Sequence, residues 1–215
     1  APVPSPRDAA DDVALWIDAR EPAASLVLGT DKQGGLSVYG LDGAELQRFE
    51  NGAQNNVDLR DGLAFADGPG ALAVTSAPAY GGVYLYRVDA VARRLVALEA
   101  SSFRVDLRPS GIALYRGQGG RTYCFVNGAD PAAGAEGVVE QWELAFGAER
   151  VAAERVRRFV VGGRVEGCVC DDANGFLFVS EEKVAVWRYG AEPGAGEGRT
   201  LVERVGLSGR LRTNA

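Results

Sequence analysis

The side chains able to do chemistry here are carboxylates and amides at the beginnings of strand-like apolar runs: Asp11 and Asp12, then Asn55, Asn56 and Asp58, then Glu166. Oxygen donors of this kind suit a hard divalent cation, which takes roughly 6–8 oxygen ligands. If the runs that carry them share one opening, the like charges repel each other, and metal ions are needed to neutralise the group. Composition excludes the commonest alternatives. The chain has no His, which removes imidazole metal sites, Ser–His–Asp triads and Cys–His dyads. Its three cysteines, Cys124, Cys168 and Cys170, are too few and too irregularly spaced for a zinc site or a disulfide framework. Cys168 and Cys170 stand two apart and read as small buried hydrophobes on one face of a strand.

The elements that must position these groups are short and extended. Runs such as Val13–Ile17, Ser25–Thr30, Ala71–Ser76, Val83–Val88, Tyr123–Asn127 and Phe176–Ser180 are each about one strand long. Asp-Gly, Gly-Gly and Asn-Gly signals punctuate them. Only Glu149–Phe159 has a helix-like composition, and it reads as an outer strand or a short helix. The chain is therefore expected to be all-β. The runs also recur as a set. Leu36–Tyr39, Val83–Tyr86, Val139–Trp142 and Val184–Trp187 are four versions of one amphipathic strand ending in an aromatic residue. Each follows a more apolar strand (Leu26–Thr30, Leu72–Ser76, Cys124–Gly128, Leu177–Glu181), which in turn follows Asp12–Trp16, Asp61–Phe65, Ser110–Leu114 or Glu166–Cys170. The interval is roughly 45 to 56 residues, the period of a β-propeller blade. In a propeller the first strand of each blade lines a central channel, so the acidic strand starts would face one opening.

Length and charge agree with this reading. At 215 residues the chain can bury a sizeable core, and 47% apolar content argues against disorder. No apolar run approaches the roughly 20 residues of a membrane helix, so no membrane partner is expected. The 23 Lys and Arg against 29 Asp and Glu give a net charge of −6, which argues against a nucleic-acid partner. Residues 1–10, rich in Pro and Ala, are expected to form a loose tail preceding a domain over 11–215. The opening Ala1–Pro6, without an initiator Met, has the look of a mature terminus left after signal cleavage, which predicts a secreted or periplasmic protein.

Six stretches occur in a telling order: Asp11–Asp18, Thr30–Gly43, Asn55–Arg60, Glu140–Leu144, Val165–Asp172, and Phe178–Glu182 running through Trp187 to Ala191–Pro193. In that order and spacing the sequence resembles the β-propeller phytases, calcium-dependent alkaline phosphatases of inositol hexakisphosphate (phytate). The resemblance implies a six-bladed propeller, of which this chain would supply about four blades. It implies several Ca2+ ions, with Asp11, Glu166 and Glu182 as carboxylates of the catalytic cluster. It also implies a separate stabilising calcium held by Asp12 and by the carbonyls of Val13 and Val57, and a phosphate-binding role for Lys32. Glu181, beside Glu182, is expected at the surface. The implied reaction is attack by a metal-activated water on a phosphate monoester of phytate, which binds as its calcium complex.

The sequence departs from the family pattern on the basic side. A family arginine falls near Pro78, a family tyrosine is replaced by Ser110, and a family Lys-Glu falls in Gly128–Pro131, leaving Asp130. The family stretch matching Arg199–Ala215 runs into an Asp-x-Glu-Gly segment that would follow this chain. The expectation is thus a partial phytase, or a catalytically weak accessory propeller module that binds calcium–phytate or assists a following catalytic domain, with a second propeller domain or the missing C-terminal blades as partner. A calcium-dependent lactonase-like propeller is a further alternative; it explains the Asp11, Asn56 and Glu166 rim but not the ordered motifs.

Overall fold

A computed structural model describes all residues except 1, 2, 7, 131, 133–135, 207–210 and 212–215. Two compact units make up the chain: residues 1–104 with 146–152, and residues 105–145 with 153–215. Strands and short turns dominate both, and no helix among the described residues is long and apolar enough to cross a membrane.

In the first unit, β1 (Ala10–Trp16), β2 (Leu26–Asp31), β3 (Gly35–Gly40) and β4 (Glu45–Phe49) form an antiparallel meander in that order. A second meander follows from β5 (Val57–Phe65), β6 (Gly68–Ala77), β7 (Gly82–Asp89) and β8 (Arg94–Ala97), with the short β9 (Phe103–Arg104) also pairing with β7. Alternating apolar residues meet in a core that includes Trp16, Leu26, Leu28, Leu36, Val38, Ala73 and Tyr86.

The second unit repeats the plan. Here β10 (Arg108–Arg116), β11 (Thr122–Ala129), β12 (Gly137–Phe146) and β13 (Val151–Gly162) form one meander. The other comprises β14 (Val165–Asp171), β15 (Phe176–Glu181), β16 (Ala185–Gly190) and β17 (Arg199–Arg204). Tyr115, Phe125, Phe159, Leu177, Val179 and Tyr189 lie in its core, which also takes in Cys168 and Cys170. The Glu149–Phe159 stretch contributes to β13, the last strand of its sheet.

Four successive meanders of this kind are propeller blades, as the repeat predicts. The aromatic-ended runs fall on β3, β7, β12 and β16, the third strand each time. One boundary differs from expectation. The first strand of the second blade begins at Val57 rather than Asp61, because Asp58 and Arg60 pair with each other at 2.9 Å and let a polar stretch run on as strand.

A single irregularity positions the acidic groups. The pairing of each blade's first strand with its second slips once: between Ala10 and Val13, between Arg60 and Leu63, between Pro109 and Ile112, and between Val165 and Cys168. The extra residues are Asp11–Asp12, Asp61–Gly62, Ser110–Gly111 and Glu166–Gly167. A bulge of this sort leaves residues out of the ladder and re-aims their side chains.

Candidate functional site

In the first unit the bulge at the start of β1 carries Asp11 and Asp12. The Asp12 amide, displaced from the ladder, donates to Thr30 Oγ1 on β2 at 3.0 Å. Its carboxylate is a clasp. Oδ1 accepts the Val13 N–H at 2.8 Å, while Oδ2 accepts Asn56 Nδ2 and the Val57 N–H, both at 3.1 Å. The structure thus brings Asp12, Val13 and Val57 together, with both valines reaching the carboxylate through their N–H groups. An ionised carboxylate has about four lone-pair sites, so three such bonds leave acceptor capacity.

Asp11 points to a different partner. Lys32 Nζ lies 3.1 Å from Asp11 Oδ1 and 3.2 Å from Asp8 Oδ2, and the Lys32 N–H donates to the Ala9 carbonyl at 2.8 Å. The hydrogen bond to Asp11, opposed by partial burial and assisted by Asp8, holds the ammonium above the ordinary lysine range. Of the expected N-terminal tail, residues 1, 2 and 7 lie outside the described residues. Ser5 donates its N–H to Asp31 Oδ2 at 3.2 Å, and Ala9 is buried.

In the second unit the bulge at the start of β14 carries Glu166. Arg164, two residues earlier, forms an ion pair with Glu166 Oε1, and its other terminal nitrogen lies 3.5 Å from Glu182 Oε2. Ser110 Oγ donates to Glu166 Oε2 at 3.4 Å. The backbone fixes this meeting, since the Glu182 N–H donates to the Arg164 carbonyl at 2.7 Å. Lys183, at φ +63°, turns the chain there and brings its ammonium 3.7 Å from Glu182 Oε1. Glu166 and Glu182 are therefore brought together around one guanidinium.

Glu181 is not a surface residue, contrary to the sequence expectation. It is buried, and its carboxylate accepts the Gly163 N–H at 2.6 Å and the Trp187 indole N–H at 2.6 Å, with Arg199 at 3.6 Å. Side chains alternate along β15, so two adjacent glutamates cannot share a face; Glu181 ends the strand pointing inward and Glu182 enters the turn outside.

Beside Glu166, the bulged Gly111 N–H donates to Asn127 Oδ1 at 2.9 Å, whereas the buried Asn127 Nδ2 has no hydrogen-bond partner. A Cβ at Gly111 would lie 2.3 Å from the Glu166 carbonyl and 2.6 Å from Asn127 Oδ1, so glycine is required where these strands meet. Asp130 accepts the Ala132 N–H at 2.7 Å and pairs with Arg158; Pro131 of the same stretch lies outside the described residues.

The donor set fits a hard cation in chemical type. Glu166 and Glu182 offer oxygens only, and the place between them already holds a positive group. Two carboxylates are fewer than calcium's full complement, and no group of three His, Cys, Asp or Glu side chains able to hold a metal occurs among the described residues. Water or substrate oxygens would supply the remainder. Sequence reasoning missed Arg164, Thr30 and Asn127. The Arg-Val-Glu spacing at 164–166 was the available signal for the first.

Comparison with known proteins adds what geometry alone does not. The family profile described as Phytase matches residues 1–213. The 3-phytase of Bacillus subtilis (strain 168) is 34% identical over 211 residues, covering 95% of this chain and 54% of that protein, so the chain spans about half the length of this relative. The crystal structure of BBS1N in complex with ARL6DN, soaked with lead, superposes with a TM-score of 0.56 at 13% identity. The match covers 99% of this chain and 61% of that one, a likeness of fold alone.

Proposed function

Because the chain belongs to the phytase family, we propose that it serves, as part of a phytase, in the calcium-dependent hydrolysis of phosphate monoesters of phytate. The observation that carries this reading is the meeting of Glu166 and Glu182 at one cation position, at a bulge that frees Glu166 from the ladder. Calcium, when bound, supplies charge neutralisation and Lewis acidity toward water. The chain's own residues do the holding. In the second unit Glu166 and Glu182 present carboxylate oxygens. In the first, Asp11 presents its own beside Lys32, and Asp12 keeps β1 and the start of β5 in register through Val13, Asn56 and Val57. Lys32, poised between Asp8 and Asp11, would be free to meet a phosphate oxygen if a cation took its place at Asp11. Phosphoryl transfer rests mainly on positioning and charge stabilisation, so no protein nucleophile is needed.

A second reading is favoured by one observation. At the positions of the family's further cationic and aromatic contacts stand Pro78, Ser110 and Asp130, and Ser110 and Asp130 bond within the chain to Glu166 and Arg158. Each missing charge-assisted contact is worth roughly 1.5–3 kcal/mol, which suits an accessory module that binds calcium–phytate without fast turnover. Further blades belong to either reading. Val13, Leu15 and Ile17 form an apolar row along and just beyond β1 that is 56–59% exposed, a surface on which another blade would pack. Phosphate release from phytate, measured with calcium and with a chelator, tests the proposal. Calcium-dependent release supports the enzyme, binding without release supports the accessory module, and lactone hydrolysis in place of either overturns both.

A further inference from the structure

We propose that Arg164 is a built-in counterion of the Glu166–Glu182 pair, which competes with the divalent cation for that position and passes to a phosphate group when the cation enters. The inference rests on the calcium reading above and assigns a regulatory and substrate-positioning role to a residue that reading does not use. Its two terminal nitrogens serve different carboxylates, one on Glu166 and one on Glu182, so this one side chain bridges both, while Lys183 adds a longer contact to Glu182 at 3.7 Å. A guanidinium offers donors only and stays charged across the accessible pH range. It therefore cannot join a cation's ligand sphere, and lowering or raising pH does not remove it. A dication that binds both glutamates must displace it.

Displacement is cheap. The Arg164 side chain is 65% exposed, and those of Glu166 and Glu182 are 45% and 30% exposed, so the pairs are held through solvent-screened contacts. The backbone of Arg164 stays pinned to Glu182 by the 2.7 Å hydrogen bond, so the freed guanidinium remains next to the site. There its planar fork matches the oxygens of a phosphate group, which a lysine meets only as a point charge. The residue thus sets how much calcium the site demands and then adds a contact to the calcium-loaded substrate complex.

The test is calorimetric titration of the full chain with calcium alone, and with phytate at saturating calcium, for wild type, Arg164→Gln and Arg164→Lys. Loss of two exposed ion pairs is expected to tighten calcium binding of Arg164→Gln about three- to tenfold. Phytate binding to the same variant at saturating calcium is expected to weaken by about tenfold, since a charge-assisted contact is lost. Arg164→Lys is expected to keep near-wild-type calcium affinity while losing most of the phytate contact. Equal or weaker calcium binding by Arg164→Gln overturns the inference and leaves the calcium reading standing. No calcium binding by any of the three proteins overturns both. Thermal unfolding of each variant without metal establishes that a changed affinity does not stem from a changed fold.

Discussion

Asp12 and Glu181 show how similar carboxylates take different work from their surroundings. Asp12 holds three N–H donors at the junction of β1 and β5, so Asp12→Ala is expected to cost about 1–3 kcal/mol in denaturant unfolding; an unchanged midpoint would show the clasp to be idle. Glu181→Ala leaves the Trp187 indole and the Gly163 N–H without their acceptor inside the fold, with a comparable expected loss and a shift in tryptophan fluorescence. Neither role could be read from a Glu-Glu or Asp-Asp pair, because which member faces inward depends on strand register that a dipeptide does not encode. Lys32 makes a pH prediction. Its value is raised above the ordinary 10.5, so its contribution is complete below that pH and is lost as pH climbs through the higher folded value. Lys32→Met is expected to flatten the alkaline limb of the unfolding-temperature profile; a profile identical to wild type would refute the pairing with Asp11 and Asp8.

At the scale of strands, the bulges decide what the site residues can reach. Gly111→Ala is expected to destabilise by about 1–3 kcal/mol and to weaken calcium binding, since the added carbon would lie 2.3 Å from the Glu166 carbonyl. Gly167, next to Glu166 itself, has open space where a Cβ would stand, so Gly167→Ala is expected to be nearly neutral. Equal effects of the two substitutions would contradict this account of the bulges. The blades were legible because the aromatic-ended third strands repeat with apolar partners on either side. The bulges were not. Asp-Asp, Ser-Gly and Glu-Gly read equally well as turn residues, and only the pairing of β1 with β2, β10 with β11 and β14 with β15 reveals the slip. The exact start of the second blade's first strand was less plain, since the charged Asp58 and Arg60 give Val57–Arg60 the composition of a loop.

Across the whole chain, a net charge of −6 would let a bound cation add to stability. Calcium at about 100 times its dissociation constant should add about 2.7 kcal/mol to unfolding, reversed by a chelator; an unfolding temperature indifferent to both would deny the ion a place in the fold. The acidic balance and the missing imidazoles were plain in the composition, and they excluded imidazole metal sites and His-based catalysis. The arginine and lysine that hold those carboxylates were not, because a pairing such as Arg164 with Glu182 depends on the β14–β15 register. The most direct measurement is calorimetric titration of calcium–phytate into wild type and Glu166→Ala. Saturable binding by the wild-type chain that disappears in the variant is the predicted result; binding of equal strength in both proteins would contradict the assignment of Glu166 to the site.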